Sequence, residues 1–235
     1  MDEASSVQGD EGPVTVPRRT IPPVAAEPRE DSLVKPGRPV HMLASDTLRF
    51  LRAFLRDPVH TGAIAPSSEG LAQAMTDWIG WGGARTVLEL GPGTGVFTAE
   101  ILRRLPRGAR FVAIELNAQF VAQLRHRFPE VEVCQDDVGN LEGICAGRGI
   151  SGADAILSGL PWAAFPSELQ DRCLQAITRV LRLGGEFCTF AYLQGLCLPA
   201  GRRFRRLLEQ HFPRVERSGI VWRNLPPALV YQCRR

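Results

Sequence analysis

The sequence predicts an α/β fold, a doubly wound seven-stranded sheet that is mostly parallel with one antiparallel strand in a C-terminal hairpin. Three observations carry this. Short, mostly apolar runs, at 86–90 and 187–192 for example, read as strands buried on both faces. Longer stretches with apolar residues at helical spacing alternate with them. The first run ends in Gly91-Pro92-Gly93-Thr94-Gly95, a strand entering a tight turn ahead of a helix, where backbone N–H groups can approach a ligand closely.

Residues 1–42 hold seven prolines among acidic residues, serines and arginines, with few large apolar side chains. Such a segment cannot bury enough surface to offset its ordering entropy and reads as a disordered arm. The globular domain is expected over 43–235. The whole chain, 235 residues with 44% hydrophobic and 23% charged, has material for one sizeable core.

Residues 44–56, ASDTLRFLRAFLR, project Arg49, Arg52 and Arg56 within about 60° of one another on a helix, with Phe50, Leu51, Phe54 and Leu55 opposite. This is a basic amphipathic helix. It suits either an anionic membrane surface or ordinary packing on the domain. A connector containing Pro58 and Gly62 follows, and Pro66-Ser67-Ser68 opens a helix with Ser67 as N-cap ahead of Leu71, Met75 and Trp78. Trp81-Gly82-Gly83 closes it before the first strand.

After the glycine turn, Val96, Phe97, Ile101 and Leu102 mark a helix. A nicotinamide or flavin site wants Gly-x-Gly-x-x-Gly, but Val96 stands where the third glycine should be. The second strand, 110–115, ends in Glu115, 22 residues beyond Gly93. An acid there can accept hydrogen bonds from both hydroxyls of a ribose. A helix through Phe120, Val121, Leu124 and Phe128 leads to a third strand at 131–134 and to Gln135-Asp136-Asp137-Val138. The fourth strand, 154–158, runs into Gly159-Leu160-Pro161-Trp162. Leu169, Cys173, Ile177, Val180 and Leu181 mark a long helix ending at Leu183-Gly184-Gly185, and 187–192 is the fifth strand. In the helix at 202–211, Arg202, Arg203, Arg205 and Arg206 form either a solvated face or a phosphate contact. Two strands, 215–222 and 228–233, joined through Arg223-Asn224-Leu225-Pro226-Pro227, complete the hairpin.

Composition limits the function. The net charge is +3; the first 45 residues hold five basic and seven acidic side chains, leaving 23 minus 18, or +5, for the rest. That excess fits an anionic partner but is low for a protein that wraps nucleic acid. The six cysteines form no Cys-x-x-Cys pair and mostly sit in apolar runs, as buried thiols of a reducing compartment would. The four histidines offer no metal-ligand spacing, and no metal is expected. Met1 to Asp10 is acidic and polar, and no run approaches the roughly 18 apolar residues of a membrane span. A cytoplasmic protein is expected.

Glu89-Leu90-Gly91-Pro92-Gly93-Thr94-Gly95 resembles the first motif of the class I S-adenosylmethionine-dependent methyltransferases, which have a Rossmann-like fold. The resemblance implies S-adenosyl-L-methionine as methyl donor and S-adenosyl-L-homocysteine as product. It places Glu89, Gly91, Gly93 and Gly95 under the amino acid part of the cofactor. In that family an acid after the third strand accepts from the adenine amino group; register with Leu141 favours Asp137 over Asp136, and a helix-initiating acid is the other reading. Val138 and Gly159 are the neighbouring cofactor positions. Leu160-Pro161-Trp162 resembles the end of the motif of adenine amino methyltransferases, but Gly159 stands where those enzymes have Asn or Asp. Trp162 either borders the reacting centre, its ring face toward a cationic amine or the sulfonium, or is core beside Phe165.

Over 44–235, Thr61-Gly62-Ala63-Ile64-Ala65-Pro66-Ser67-Ser68, Glu89 to Gly95, Gly159-Leu160-Pro161-Trp162 and Asn224-Leu225-Pro226-Pro227-Ala228 resemble the bacterial phospholipid N-methyltransferases of the soluble, peripheral type. Their core is similar to that of rRNA adenine dimethylases. The resemblance implies stepwise methylation of phosphatidylethanolamine toward phosphatidylcholine at the inner face of the cell membrane, with 44–56 contacting an anionic lipid surface. The amine must lose a proton before it attacks, and His60 and Tyr192 are the candidate bases by location. Two other readings stay open. A methyltransferase of a soluble small molecule would use the N-terminal helix as a lid. Action on rRNA, or a nucleic-acid-binding module, is disfavoured by the absent asparagine and modest charge; rRNA dimethylases also carry a helical RNA-binding domain after the sheet.

Overall fold

The computed structural model describes residues 67–235; the arm, the segment 44–56 and His60 lie outside the described residues. Helix α1, Glu69–Thr76, is capped by Ser68, whose side chain accepts from the Leu71 N–H, so the cap lies one residue beyond the expected Ser67. The helix stops at Thr76, and Trp81–Gly83 forms a separate 3-10 turn instead of its end.

Strands β1 (Thr86–Leu90), β2 (Arg110–Glu115), β3 (Glu132–Gln135) and β4 (Ala153–Ser158) alternate with helices α2 (Val96–Arg104), α3 (Ala118–Arg127) and α4 (Leu141–Gly147). Helix α5 (Ser167–Val180) then leads into β5 (Leu181–Tyr192), the short α6 (Leu193–Leu196), α7 (Pro199–His211), β6 (Arg214–Arg217) and β7 (Ala228–Arg234). The seven strands form one sheet in the order β3-β2-β1-β4-β5-β7-β6. Strands β1 to β5 pair in parallel, and β7 runs antiparallel to both β5 and β6. The reversed strand of the hairpin is therefore β7, inserted between β5 and β6.

Period-2 alternation sends successive strand residues into two cores. Leu88, Leu90, Val112, Ile114, Ile156 and Phe187 pack with α4, α5 and α7, whereas Val87, Phe111, Ala113, Ala155 and Cys188 pack with α1, α2 and α3. Glu89 has the register of Val87, so its carboxyl enters the second core beneath α2.

Strand order reverses between β1 and β4, the switch point at which doubly wound sheets bind ligands beyond the C-terminal strand ends. The chains leaving these strands continue the ladder past their last residues. The Gly91 N–H donates to the Ile114 carbonyl at 2.9 Å, and the Gly159 N–H to that of Leu90 at 2.8 Å. Both glycine-bearing turns are thereby held over one crevice.

Candidate active site

A cleft opens at this switch point, lined by Gly91, Gly93, Glu115, Phe120, Asp137, Val138, Gly159 and Leu160 among others. The glycine turn at its floor has left-handed backbone at Gly91, Gly93 and Gly95, with φ of 69°, 55° and 85°. A side chain would be strained at each, and the surroundings separate their roles. A Cβ on Gly91 would meet Leu160 Cδ2 at 2.7 Å, and one on Gly95 would meet Phe128 at 2.6 Å, so both permit packing. A Cβ on Gly93 would meet nothing within 4 Å. Gly93 therefore keeps open the cleft rather than the core. At Gly159 a Cβ would lie 2.5 Å from the Gly91 carbonyl, so any larger residue would push the two turns apart.

Glu115 bridges the cleft. It is buried at the end of β2, where Oε2 accepts from the Gly93 N–H at 3.1 Å and Oε1 from the Asn117 N–H at 2.8 Å. Burial raises its pKa, and the backbone hydrogen bonds of Asn117 and Gly93 oppose the rise. A carboxylate offers about four lone-pair sites, so acceptor capacity remains beyond these backbone donors.

Asp137 lines the same cleft, whereas Asp136 turns its carboxyl to the Asp137 N–H at 2.7 Å. Asp137 also caps the 3-10 turn Val138–Asn140 by accepting from the Gly139 N–H at 2.8 Å, and the Arg172 guanidinium lies 3.6 Å from its other oxygen. The helix-initiating reading thus describes one oxygen of a group that also faces the cleft.

Glu89 lies under the glycine turn, fully buried. Its Oε2 accepts from the Thr98 hydroxyl at 2.7 Å, and its Oε1 has no hydrogen-bond partner. Desolvation raises its pKa to about 8, opposed by the Thr98 hydrogen bond. Sequence reasoning missed Thr98. Its signal was a hydroxyl on the first turn of α2, on the face that carries Phe97 and Ile101 into the core.

Trp162 is not part of the lining. It is 2% exposed, stacked on Phe204 with ring centroids 4.8 Å apart, and in contact with Phe165 and Phe187. Its indole N–H donates to the Ser158 hydroxyl at 3.1 Å. The reading that set its ring beside the reacting centre is corrected: its neighbours bury the ring in the core, as the other reading had it. Tyr192, at the end of β5, packs edge-on against Phe190 at 5.3 Å and is also absent from the lining. Burial raises its pKa, which keeps the phenol protonated and works against proton abstraction. His60 lies outside the described residues.

No group of three or more His, Cys, Asp or Glu that could hold a metal occurs among the described residues. Five of the cysteines are buried free thiols and Cys197 is exposed; burial raises the Cys173 pKa to about 12. The residues present do fit an adenosine-bearing cofactor. Gly93 leaves open space at the floor, Glu115 has unused acceptor sites, and the orphaned Glu89 oxygen lies beneath.

Residues 87–185 match the family described as methyltransferase domain. The chain is 35% identical over 194 residues to ornithine lipid N-methyltransferase of Singulisphaera acidiphila, covering 80% of this chain and 96% of that protein. A shorter match, 42% identical over 74 residues, links it to ribosomal RNA small subunit methyltransferase A of Acidobacterium capsulatum, but covers only 30% of this chain and 25% of that enzyme. In fold it is similar to an O-methyltransferase from Bacillus cereus solved in complex with SAH, with TM-score 0.58 at 17% identity, covering 86% and 94% of the two chains. The chain belongs to the class I S-adenosylmethionine-dependent methyltransferases, in the family that includes the ornithine lipid N-methyltransferase of Singulisphaera acidiphila.

Proposed function

We propose that the protein transfers methyl groups from S-adenosylmethionine to the headgroup amine of a membrane lipid, with phosphatidylethanolamine as acceptor and stepwise product formation toward phosphatidylcholine. The observation that supports a lipid acceptor is the relative named as an ornithine lipid N-methyltransferase, matched over 96% of its length. The same observation favours a second reading, in which the acceptor is the amine of an ornithine lipid. The ribosomal RNA enzymes support neither, since their match is confined to a quarter of their length and Gly159 has no side chain to hold an aromatic amine.

In this proposal Gly91, Gly93 and Gly95 cradle the amino acid part of the cofactor, with Glu89 beneath. Glu115 takes the ribose hydroxyls, and Asp137 the adenine amino group, beside Val138 and Gly159. The bound cofactor supplies an electrophilic methyl group on a sulfonium. Positioning does most of the work, because an in-line displacement needs the acceptor nitrogen held close to the methyl carbon and water kept away. Leu160, Pro161, Phe165 and Leu169 give the cleft the apolar wall that excludes water. The acceptor ammonium must first lose a proton. Of the two candidate bases, Tyr192 lies off the cleft lining, which favours His60 or water in this role.

The test is methyl transfer from labelled S-adenosylmethionine to vesicles containing phosphatidylethanolamine, ornithine lipid or neither. Methylated phosphatidylethanolamine supports the first reading, methylated ornithine lipid alone supports the second, and tight cofactor binding without lipid product refutes both.

A further inference from the structure

The loop between β6 and β7 exposes large apolar side chains that a water-facing loop does not need. Trp222 is 67% and Leu225 69% exposed, and Ile220 is also exposed. The turn between α6 and α7 adds Leu198, 53% exposed. Topology brings both segments to one edge. Ala228, the first residue of β7, pairs with Tyr192, the last of β5, and the Leu193 N–H donates to the Pro227 carbonyl at 2.9 Å. That edge is the C-terminal side of the parallel strands, where the cofactor cleft opens.

The loop is built to hold this shape. Asn224 is buried, accepts from the Ser68 N–H at 2.8 Å through Oδ1 and donates to the Pro226 carbonyl at 2.7 Å through Nδ2. Trp222 and Leu225 therefore project on either side of an anchored residue. The charge beside them has one sign. Residues 218–227 contain Arg223 and no acid, and 193–206 contain Arg202, Arg203, Arg205 and Arg206 and no acid. The guanidinium groups of Arg223 and Arg206 are exposed and make no hydrogen bond or ion pair among the described residues. Indole, leucine and arginine side by side match the boundary of an anionic bilayer, where an aromatic ring sits at headgroup depth and guanidinium groups meet phosphates.

We propose that this edge is a membrane-docking surface: Trp222, Leu225, Ile220 and Leu198 enter the interfacial layer of an anionic bilayer, and Arg223, Arg202 and Arg206 meet its phosphates, so that the cleft opens onto the lipid. The proposal rests on the lipid reading above and deepens it by naming the surface that faces the substrate. It also places the start of the described chain, Ser67 and Ser68, at the docking loop, next in sequence to the segment 44–66.

The test uses the full chain without cofactor and vesicles of phosphatidylglycerol with brominated acyl chains and no amine lipid, so that docking is read independently of catalysis. The four tryptophans are Trp78, Trp81, Trp162 and Trp222. Wild-type fluorescence is expected to be quenched on these vesicles and much less on brominated phosphatidylcholine. The W222F variant should lose most of that quenching. W222S/L225S should bind phosphatidylglycerol vesicles at least tenfold more weakly while keeping its affinity for S-adenosylhomocysteine. Equal quenching in W222F and wild type overturns the proposal. So does protection of Trp222 from iodide without lipid, which would mean that the chain's own N-terminal segment covers it. Loss of a dimer in W222S/L225S, with vesicle binding unchanged, would assign the surface to a second copy and overturn it too. A protein that docks as described but methylates no lipid refutes the functional reading and leaves the docking surface standing.

Discussion

Replacing Glu89 by Gln tests whether the glycine turn rests on a neutral acid. The folded-state pKa is raised from 4.5 to about 8 by burial. The folded protein therefore keeps this proton while the unfolded chain releases it, and folding has to take one up. For a carboxyl shifted in this direction the cost is absent below pH 4.5, grows through the window up to pH 8, and is constant above it. At 1.36 kcal/mol per pKa unit, the stability lost to this group between pH 5.5 and pH 7.5 is about 2.5 kcal/mol. Gln has nearly the same shape, still accepts from Thr98 and does not titrate. In urea unfolding of the cofactor-free protein, wild type should lose about 2.5 kcal/mol more than E89Q between these two pH values, with equal m-values. Parallel losses in the two proteins would show that Glu89 is ionised under the turn, and the burial argument would fail.

Glu115→Ala removes the carboxylate that bridges Gly93 and Asn117; calorimetry should show S-adenosylhomocysteine affinity reduced about tenfold to a hundredfold, the value of one or two charge-assisted hydrogen bonds. Gly93→Ala should cost only about 1–2 kcal/mol of stability, for left-handed backbone at a site with no steric contact, yet abolish cofactor binding. A folded variant that binds normally would show that the space above Gly93 is not the cofactor's. Asn224→Ala leaves the Ser68 N–H and Pro226 carbonyl without their partner and should lower unfolding free energy by about 1–3 kcal/mol in denaturant. His60→Gln should lower kcat for the lipid amine, with the loss shrinking as pH rises and the amine deprotonates unaided, while S-adenosylhomocysteine affinity holds.

What could be read from the sequence was whatever local chemistry decides. The second strand was placed at 110–115 because its apolar run is bounded by Arg110 and Glu115, and the structure has those bounds. The fifth strand was expected at 187–192 and begins at Leu181 instead, because residues before it pair with distant chain. Leu181 lies beside Ala153, the Gly184 N–H donates to the Arg235 carbonyl, and the Arg235 N–H returns to Gly185. Strand β6 was expected to run to Trp222 and stops at Arg217. There the Ser218 hydroxyl accepts from the Val230 N–H at 2.9 Å, a side chain taking a place in the ladder, and the chain bends away. Helix α4 was not anticipated; with seven residues and three glycines or alanines it has little periodicity to read.

The candidate site divides the same way. Gly91, Gly93, Gly159, Glu115 and Asp137 were legible because their spacing along strand and turn is local, and the structure brings them to one cleft. The place of Trp162 was not, since its ring is covered by Phe204, 42 residues away on another helix. The hydroxyl of Thr98 on the first turn of α2 takes its meaning from Glu89, which it meets only because β1 and α2 face each other.

The most direct test of the central claim is methyl transfer to amine lipid. Wild-type protein with labelled S-adenosylmethionine should methylate phosphatidylethanolamine in anionic vesicles, and the E115A variant should lose that activity in step with its cofactor affinity. A protein that binds the cofactor and methylates neither phosphatidylethanolamine nor ornithine lipid, but does methylate a soluble amine, would contradict the account.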